Sequence, residues 1–522
     1  MREVTIVYGG PGTGKTYTLL QLLKEEMKTT PIRKIAYVSF TRQGTYQGVD
    51  LAKQEFELTD EECAYFKTIH SLCFHACDLS VKDLFTGRLL EASMKQLDLS
   101  KPDYVRLNTI QSVIRNQMRE PNFKDFKRFN GGNTDAITSC EFLDEVRAKT
   151  NKKDFTDMLE DVIKNCVQLP VDVVFIDEAQ DLTFLQWKVC ETLFANAKKW
   201  ILAGDPNQSI YAWAGADAKR LMTMKRHKEI FLDRSRRCCE HVWRYARITH
   251  IGIHDKIPMP DECNEEEGFA WTMRFCPEKF IARCIHYGSV MCLAYTNNKL
   301  QAYIDACVNY GLPYIIRSNK DESSVTEAML KDLKFLHDVF TDETMYRKYV
   351  TWKDDLNAEA SRNNNKLRTK RDNIRNFIKQ YNLEFGWTEN LIQCITDELK
   401  KKIKFRKVIG FAKLEEAKQD RYCRELAETK NFLLNPILIS PVHRVKGGEA
   451  DYVFVNDAVG RLVKLNNREE KDNALRVLYV AITRARKGVI VWHEPKSRTC
   501  MTTLSWPKLG ALPPMLDEMT GV

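Results

Sequence analysis

The residues Gly9-Gly10-Pro11-Gly12-Thr13-Gly14-Lys15-Thr16 constrain this chain more than any other stretch. They fit G-x-x-x-x-G-K-[ST] in full. They stand between the apolar run Val4–Tyr8 and a helical pattern carried by Leu19, Leu20, Leu22 and Leu23. Strand, glycine-rich turn and helix form the context in which this motif holds phosphate. Successive backbone N–H groups turn inward, and the helix N-terminus adds partial positive charge. Lys15 is expected to reach the β- and γ-phosphates of a nucleoside triphosphate, and Thr16 to ligate Mg²⁺.

A second acidic signal completes this reading. Asp177-Glu178 closes the apolar strand Val173–Ile176. An aspartate at such a strand end can hold the Mg²⁺ shell, and the adjacent glutamate can orient and deprotonate a water. Together with the phosphate loop, the pair points to nucleoside-triphosphate hydrolysis without saying what work it drives.

Strand and helix signals alternate, with further strands at Ile35–Phe40, Val171–Ile176, Trp200–Ala203, Val290–Ala294, Ile437–Ser440, Tyr452–Val455 and Val489–Trp492. Alternation of this kind predicts parallel sheets covered by helices. The strand signal fades between about 79 and 168, and again between about 321 and 435. The expected fold is α/β, with two RecA-like parallel-sheet domains, each carrying a mainly helical insertion. Residues 1–78 and 169–285 are assigned to the first domain and 79–168 to its insertion. Residues 286–320 and 436–522 are assigned to the second domain and 321–435 to its insertion.

Composition excludes some alternatives. In 522 residues, 43% hydrophobic and 29% charged content is incompatible with wholesale disorder. No apolar run approaches the ~18–20 residues of a membrane span. The opening residues break into Gly-Pro-Gly too soon for a signal-peptide core, so a cytoplasmic protein is expected. The sixteen cysteines are scattered, which does not suggest a disulfide framework. His70, Cys73, His75 and Cys77 match no zinc spacing and read as a half-buried helix face. The net charge of +9 hints at an anionic partner. The basic runs 361–380 and 400–407 read as solvated helix faces or as phosphate-tracking surfaces. The acidic run Asp261–Glu267 is expected to be an exposed loop.

Further motifs follow in order. Asp177-Glu178-Ala179-Gln180-Asp181 precedes Ala203-Gly204-Asp205-Pro206-Asn207-Gln208-Ser209-Ile210-Tyr211-Ala212-Trp213. His443-Arg444-Val445-Lys446-Gly447-Gly448-Glu449 and Tyr479-Val480-Ala481-Ile482-Thr483-Arg484-Ala485-Arg486 come near the end. In this order they resemble the UvrD/Rep branch of superfamily 1 helicases, from residue 9 to about 492. The resemblance implies ATP and Mg²⁺ bound in a cleft between two RecA-like domains. It implies that Gln208 senses the γ-phosphate, that Arg237 and Arg484 act as arginine fingers reaching over from the opposite domain, and that Glu449 binds the ribose. Phosphoryl transfer spreads negative charge that guanidinium groups stabilise. The resemblance also implies DNA contacts by Phe40, Thr41, Arg42, His70, Tyr211, Trp213 and His443. Aromatic side chains grip bases without reading sequence, at roughly 1–3 kcal/mol per base.

The sequence departs from the family pattern near the base. The family's adenine-contacting glutamine upstream of the loop has no counterpart, and Arg236 stands where a base-stacking tyrosine is usual. Ala214 replaces an arginine. Relaxed selectivity for the base is therefore expected. The implied activity is ATP-dependent translocation on single-stranded DNA and unwinding of tailed duplex, 3′-to-5′, by a monomer. The rivals are a translocase that strips proteins without unwinding, an ATP-switched binding module, and a helicase–nuclease fusion. The last is disfavoured by the short segment after Trp492. Stacking does not tell DNA from RNA.

Overall fold

The computed structural model describes residues 2–39, 42–121, 125–126, 133–317, 322–323, 327–347, 373–374, 376–402, 416–459 and 467–493. Its chain divides into two compact units. The first comprises Met1–Cys238, Ala246–Glu265 and Asn466–Val480, and the second Cys239–Tyr245, Glu266–Leu465 and Ala481–Val522.

The first unit is built on six strands: β1 (Glu3–Gly9), β2 (Ile35–Ser39), β3 (Phe66–Thr68), β4 (Val173–Asp177), β5 (Lys199–Gly204) and β6 (Lys228–Leu232). Their order across the sheet is β3-β2-β4-β5-β1-β6, and every pairing is parallel. Parallel sheets are covered on both faces, so their strands are apolar throughout. All five residues of β2 and of β4 are buried. Alternate side chains serve opposite cores. Ile6, Val174 and Ile176 pack with Leu72, Leu159 and Trp187 on one face. Val7, Phe175 and Tyr37 pack with Leu19, Leu20 and Leu23 on the other. Helices α1 (Lys15–Glu26), α2 (Arg42–Phe56) and α3 (Ile69–Ala76) follow β1, β2 and β3 in the chain.

The described residues of 79–168 include the helices α4 (Gly87–Gln96), α5 (Lys101–Asn116), α6 (Asn133–Thr150) and α7 (Phe155–Lys164). They enclose a small core of Phe85, Leu107, Ile114, Phe126 and Leu143. Local signals set their starts. Ser100 accepts from the backbone of Asp103 with Pro102 in the first turn of α5, and Asp154 and Asp157 form a reciprocal capping box on α7. Arg115 joins these elements. It bonds Glu160 through two nitrogens, at 2.9 and 2.7 Å, and also reaches Asp154 and Asp157.

β7 (Arg234–Cys239) and β8 (Glu262–Asn264) form a two-stranded sheet. The acidic run Asp261–Glu267 is therefore not simply an exposed loop. Three of its residues form a strand, and Glu262 and Glu265 pair with Arg234 at 3.7 and 3.3 Å. Opposite charge across the ribbon offsets the self-repulsion of the run.

The second unit holds a seven-stranded sheet from β9 (Phe269–Met273), β10 (Val290–Ala294), β11 (Tyr314–Ile316), β12 (Glu322–Ser323), β13 (Ile437–Pro441), β14 (Ala450–Asn456) and β15 (Ala485–Trp492). The order is β12-β11-β13-β10-β14-β15-β9, parallel except for β12. Its edge strand β9 lies upstream of the boundary expected at 286, because Phe269–Met273 pairs with Gly488–Trp492. Residues 466–480, expected in the second domain, group with the first unit. Helices Glu327–Thr341, Glu389–Lys402 and Glu416–Glu428 occupy the stretch between β12 and β13. Residues 361–372 and 403–407 of the two basic runs lie outside the described residues, as do Phe40, Thr41 and the side chain of Arg42.

Candidate nucleotide site and nucleic-acid interface

Strands β4, β5 and β1 are parallel neighbours, so their carboxyl ends emerge along one edge. That edge is where ligands meet open parallel sheets. There β1 delivers the phosphate loop, β4 delivers Asp177 and Glu178, and β5 delivers Gly204-Asp205.

The loop Gly9–Thr16 turns sharply into α1. Gly12 has φ +71°, and a Cβ there would collide with the Cβ of Arg237. A side chain is excluded both by backbone conformation and by space. Lys15 is buried, and its Nζ donates to the carbonyls of Gly9 at 2.8 Å and Gly10 at 3.3 Å. Thr13 Oγ1 donates to the carbonyl of Gly10 at 2.9 Å. Pro11 accepts from Ser235 Oγ at 2.7 Å, and Gly12 accepts from the backbone N–H of Arg236 at 2.9 Å. Strand β7 therefore braces the loop from outside. Arg237 belongs to the same unit as the loop. The expectation that it reaches over from the opposite domain is corrected, because β7 adjoins Gly12 directly. Arg236 is exposed at this rim.

Thr16 Oγ1 donates to Asp177 Oδ2 at 3.0 Å. The Asp177 carboxyl is pushed up to about 6, first by burial and then by the neighbouring Glu178, with Lys15 and Thr16 opposing the shift. Glu178 sits at φ +55°, a left-handed conformation rare for a side chain of this size. Its backbone N–H donates to Asp177 Oδ1 at 2.9 Å.

Gln180, fully buried, connects the two acidic segments. Its Nε2 donates to Glu178 Oε2 at 2.5 Å, and its Oε1 accepts from the backbone N–H of Asp205 at 3.0 Å. Asp205 in turn accepts from Gln208 Nε2 at 2.7 Å. In the sequence Gln180 is one residue of the segment Asp177–Asp181. Its bridging position depends on β4 and β5 being neighbours.

A hard-oxygen pair, Thr16 and Asp177, beside a backbone cradle fits a Mg²⁺ ion completed by phosphate oxygens. Among the described residues no cluster of three or more His, Cys, Asp or Glu could hold a metal unaided. Cys73 is buried in the core, and burial lowers the pKa of His75.

A family model described as an AAA domain matches residues 1–214, and one described as the UvrD-like helicase C-terminal domain matches residues 436–492. A probable DNA helicase II homolog of Mycoplasma pneumoniae is 22% identical, covering 93% of this chain and 81% of that protein. The ATP-dependent DNA helicase PcrA of Bacillus subtilis is 22% identical over 54% of this chain and 42% of that protein. Together these matches support a UvrD/Rep-like superfamily 1 helicase. The matched helicase family implies ATP binding.

The remaining helicase motifs lie in both units. In the first, Tyr211 caps a short turn, Ala212–Ala214, and Trp213 within that turn is 57% exposed. The following Gly215 packs on Asn116 and Gln117 at the end of α5. Asn116 also accepts from Thr183 Oγ1 at 2.9 Å, six residues past Asp177. His70, in the first turn of α3, meets the exposed ring of Phe155 edge-on at 6.1 Å. Phe155 was not legible in the sequence, because it looks like any apolar residue opening a helix.

In the second unit, Arg484 Nη1 donates to the carbonyl of Gly448 at 3.1 Å, and its own carbonyl accepts from the backbone N–H of Ala450 at 3.0 Å. The segments His443–Glu449 and Tyr479–Arg486 are thereby tied together. Glu449 is partly exposed and pairs with Arg486 at 3.2 Å. His443 follows β13 and lies edge-on to Tyr295 at 5.7 Å. No helix among the described residues is long and apolar enough to cross a membrane.

Proposed function

We propose that this chain is an ATP-dependent DNA helicase that translocates 3′-to-5′ along single-stranded DNA and separates tailed duplex. One observation carries the reading: Thr16, Asp177, Glu178, Gln180, Asp205 and Gln208 form an unbroken hydrogen-bonded set at the carboxyl edge of one sheet. Phosphate-binding and water-activating groups are thus linked to the segment bearing Trp213.

In this proposal Gly9, Gly10, Pro11, Gly12, Thr13, Gly14 and Lys15 bind the triphosphate. Thr16 and Asp177 hold Mg²⁺, which would neutralise phosphate charge when bound. Glu178 accepts the proton of the attacking water and Gln208 senses the terminal phosphate. Arg237 and Arg484 stabilise charge developed in the transition state, and Glu449 contacts the ribose. Tyr211, Trp213, His70 and His443 contact the strand, with Phe155 as an additional stacking face. Arg236 in place of a stacking tyrosine supports hydrolysis of GTP within about tenfold of ATP.

The test is the ATPase rate with and without single-stranded DNA, beside single-stranded RNA, together with displacement from tailed duplexes. DNA-stimulated turnover that is lost in Lys15→Ala, with unwinding only from 3′ tails, is expected. Turnover indifferent to nucleic acid would point to an ATP-switched binding module, and movement without strand separation to a protein-displacing translocase.

A further inference from the structure

The buried hydroxyl of Tyr37 has one described hydrogen-bond partner, Asp177 Oδ2, at 3.3 Å. Tyr37 lies on β2 with no measurable exposure. Its ring stacks on Phe175 at 6.2 Å and tilts against Phe66 at 5.7 Å. From the other side α2 approaches so closely that a Cβ on Gly48 would stand 2.9 Å from both the ring and the hydroxyl oxygen of Tyr37. Phenylalanine would satisfy this packing. A buried hydroxyl costs free energy unless it is bonded, so the hydroxyl matters through the carboxylate it meets.

Asp177 collects donors on both oxygens. Oδ2 accepts from Thr16 and Tyr37, and Oδ1 accepts from the backbone N–H of Glu178. Rotation of the carboxylate would break these bonds together. Because Thr16 Oγ1 donates its hydrogen bond to Asp177 Oδ2, the lone pairs of the Thr16 hydroxyl remain available to a cation.

Resting on the metal role proposed for Asp177, we propose that Tyr37 is a positioning residue for the nucleotide-bound divalent cation. Its hydroxyl locks the Asp177 carboxylate in the orientation that presents Thr16 and Asp177 together. Partners of metal-ligating carboxylates typically alter metal affinity by ~10–100-fold when removed.

The experiment titrates Mn²⁺ into the full chain with saturating ADP, read by electron paramagnetic resonance, in wild type, Tyr37→Phe, Gly48→Ala and Asp177→Asn. Tyr37→Phe is expected to bind Mn²⁺ about tenfold more weakly, with unchanged metal-free ADP affinity and melting temperature. Gly48→Ala, which crowds the ring, is expected to shift affinity in the same direction. Mn²⁺ affinity in Tyr37→Phe within roughly twofold of wild type, while Asp177→Asn loses binding, would overturn the role of Tyr37 alone. Unaltered binding in Asp177→Asn would overturn the underlying metal assignment, and this inference with it.

Discussion

Both sheets place a buried aspartate at the carboxyl end of an inner strand, and the two are held in different ways. Asp177 ends β4 and is met by hydroxyls and a backbone amide. None of the ion pairs among the described residues involves it. Asp457 follows β14, is fully buried, and pairs with His493 Nδ1 at 2.6 Å, just past β15. The hydrogen bond to Asp457 raises the pKa of His493 despite partial burial. A buried carboxylate needs compensation. Asp457 has a histidine partner within the fold, cationic when protonated, which suits a structural tie between adjacent strands. Asp177 is oriented by neutral donors and has an elevated pKa, which suits a site completed by an arriving cation.

The largest expected effect separates these two aspartates by function. Asp177→Asn should lower ATP turnover by at least about 10²-fold with little loss of stability, whereas Asp457→Asn should lower thermal stability and leave turnover nearly intact; steady-state ATPase beside calorimetry tests this. Equal loss of turnover in both would erase the distinction. Glu178→Gln should cost about 10²–10⁴-fold in turnover with nucleotide affinity retained, as for removal of a general base. Gln180→Leu should reproduce part of that loss, and its kcat should fall while KM for ATP stays put.

Trp213→Ala sharpens the contrast from the nucleic-acid side. It should weaken single-stranded DNA binding by about 1–3 kcal/mol, measured by fluorescence anisotropy, and spare DNA-free turnover. His493→Gln should cost roughly 2 kcal/mol, the scale of a hydrogen bond to a charged group, seen as a lowered calorimetric transition.

The smallest effect is in pH dependence. The folded-state pKa of His493 is raised, so its contribution is full below the unfolded value of about 6.5 and is lost as pH rises through the folded value. His493→Gln should flatten that alkaline decline. Asp157 runs the other way. Despite opposing burial, Arg115 and Arg147 hold its carboxyl below the ordinary range. Its contribution is present above about 3.9 and is lost as pH falls through the folded value. Arg115→Met should reduce that acid-side loss, with Arg147 retaining part of it.

Much of the candidate nucleotide site was legible in the sequence because its residues are contiguous. The loop Gly9–Thr16 and the pair Asp177-Glu178 carry their strand–turn–helix and strand-end contexts with them. The edge strand Phe269–Met273 was not legible. Its pairing with β15 spans more than two hundred residues, and local pattern cannot choose a distant partner. The acidic run 261–267 misled for a related reason: its charge is matched by Arg234 only after folding.

By itself the sequence determined which residue types could handle phosphate and in what order the motifs occur, since those follow from local backbone and side-chain chemistry. Tertiary structure alone decided that Tyr37 meets Asp177, that Gln180 spans Glu178 and Asp205, and that Arg237 stands beside Gly12. Strand order brings those groups together, and it is fixed by burying both faces of a parallel sheet at once.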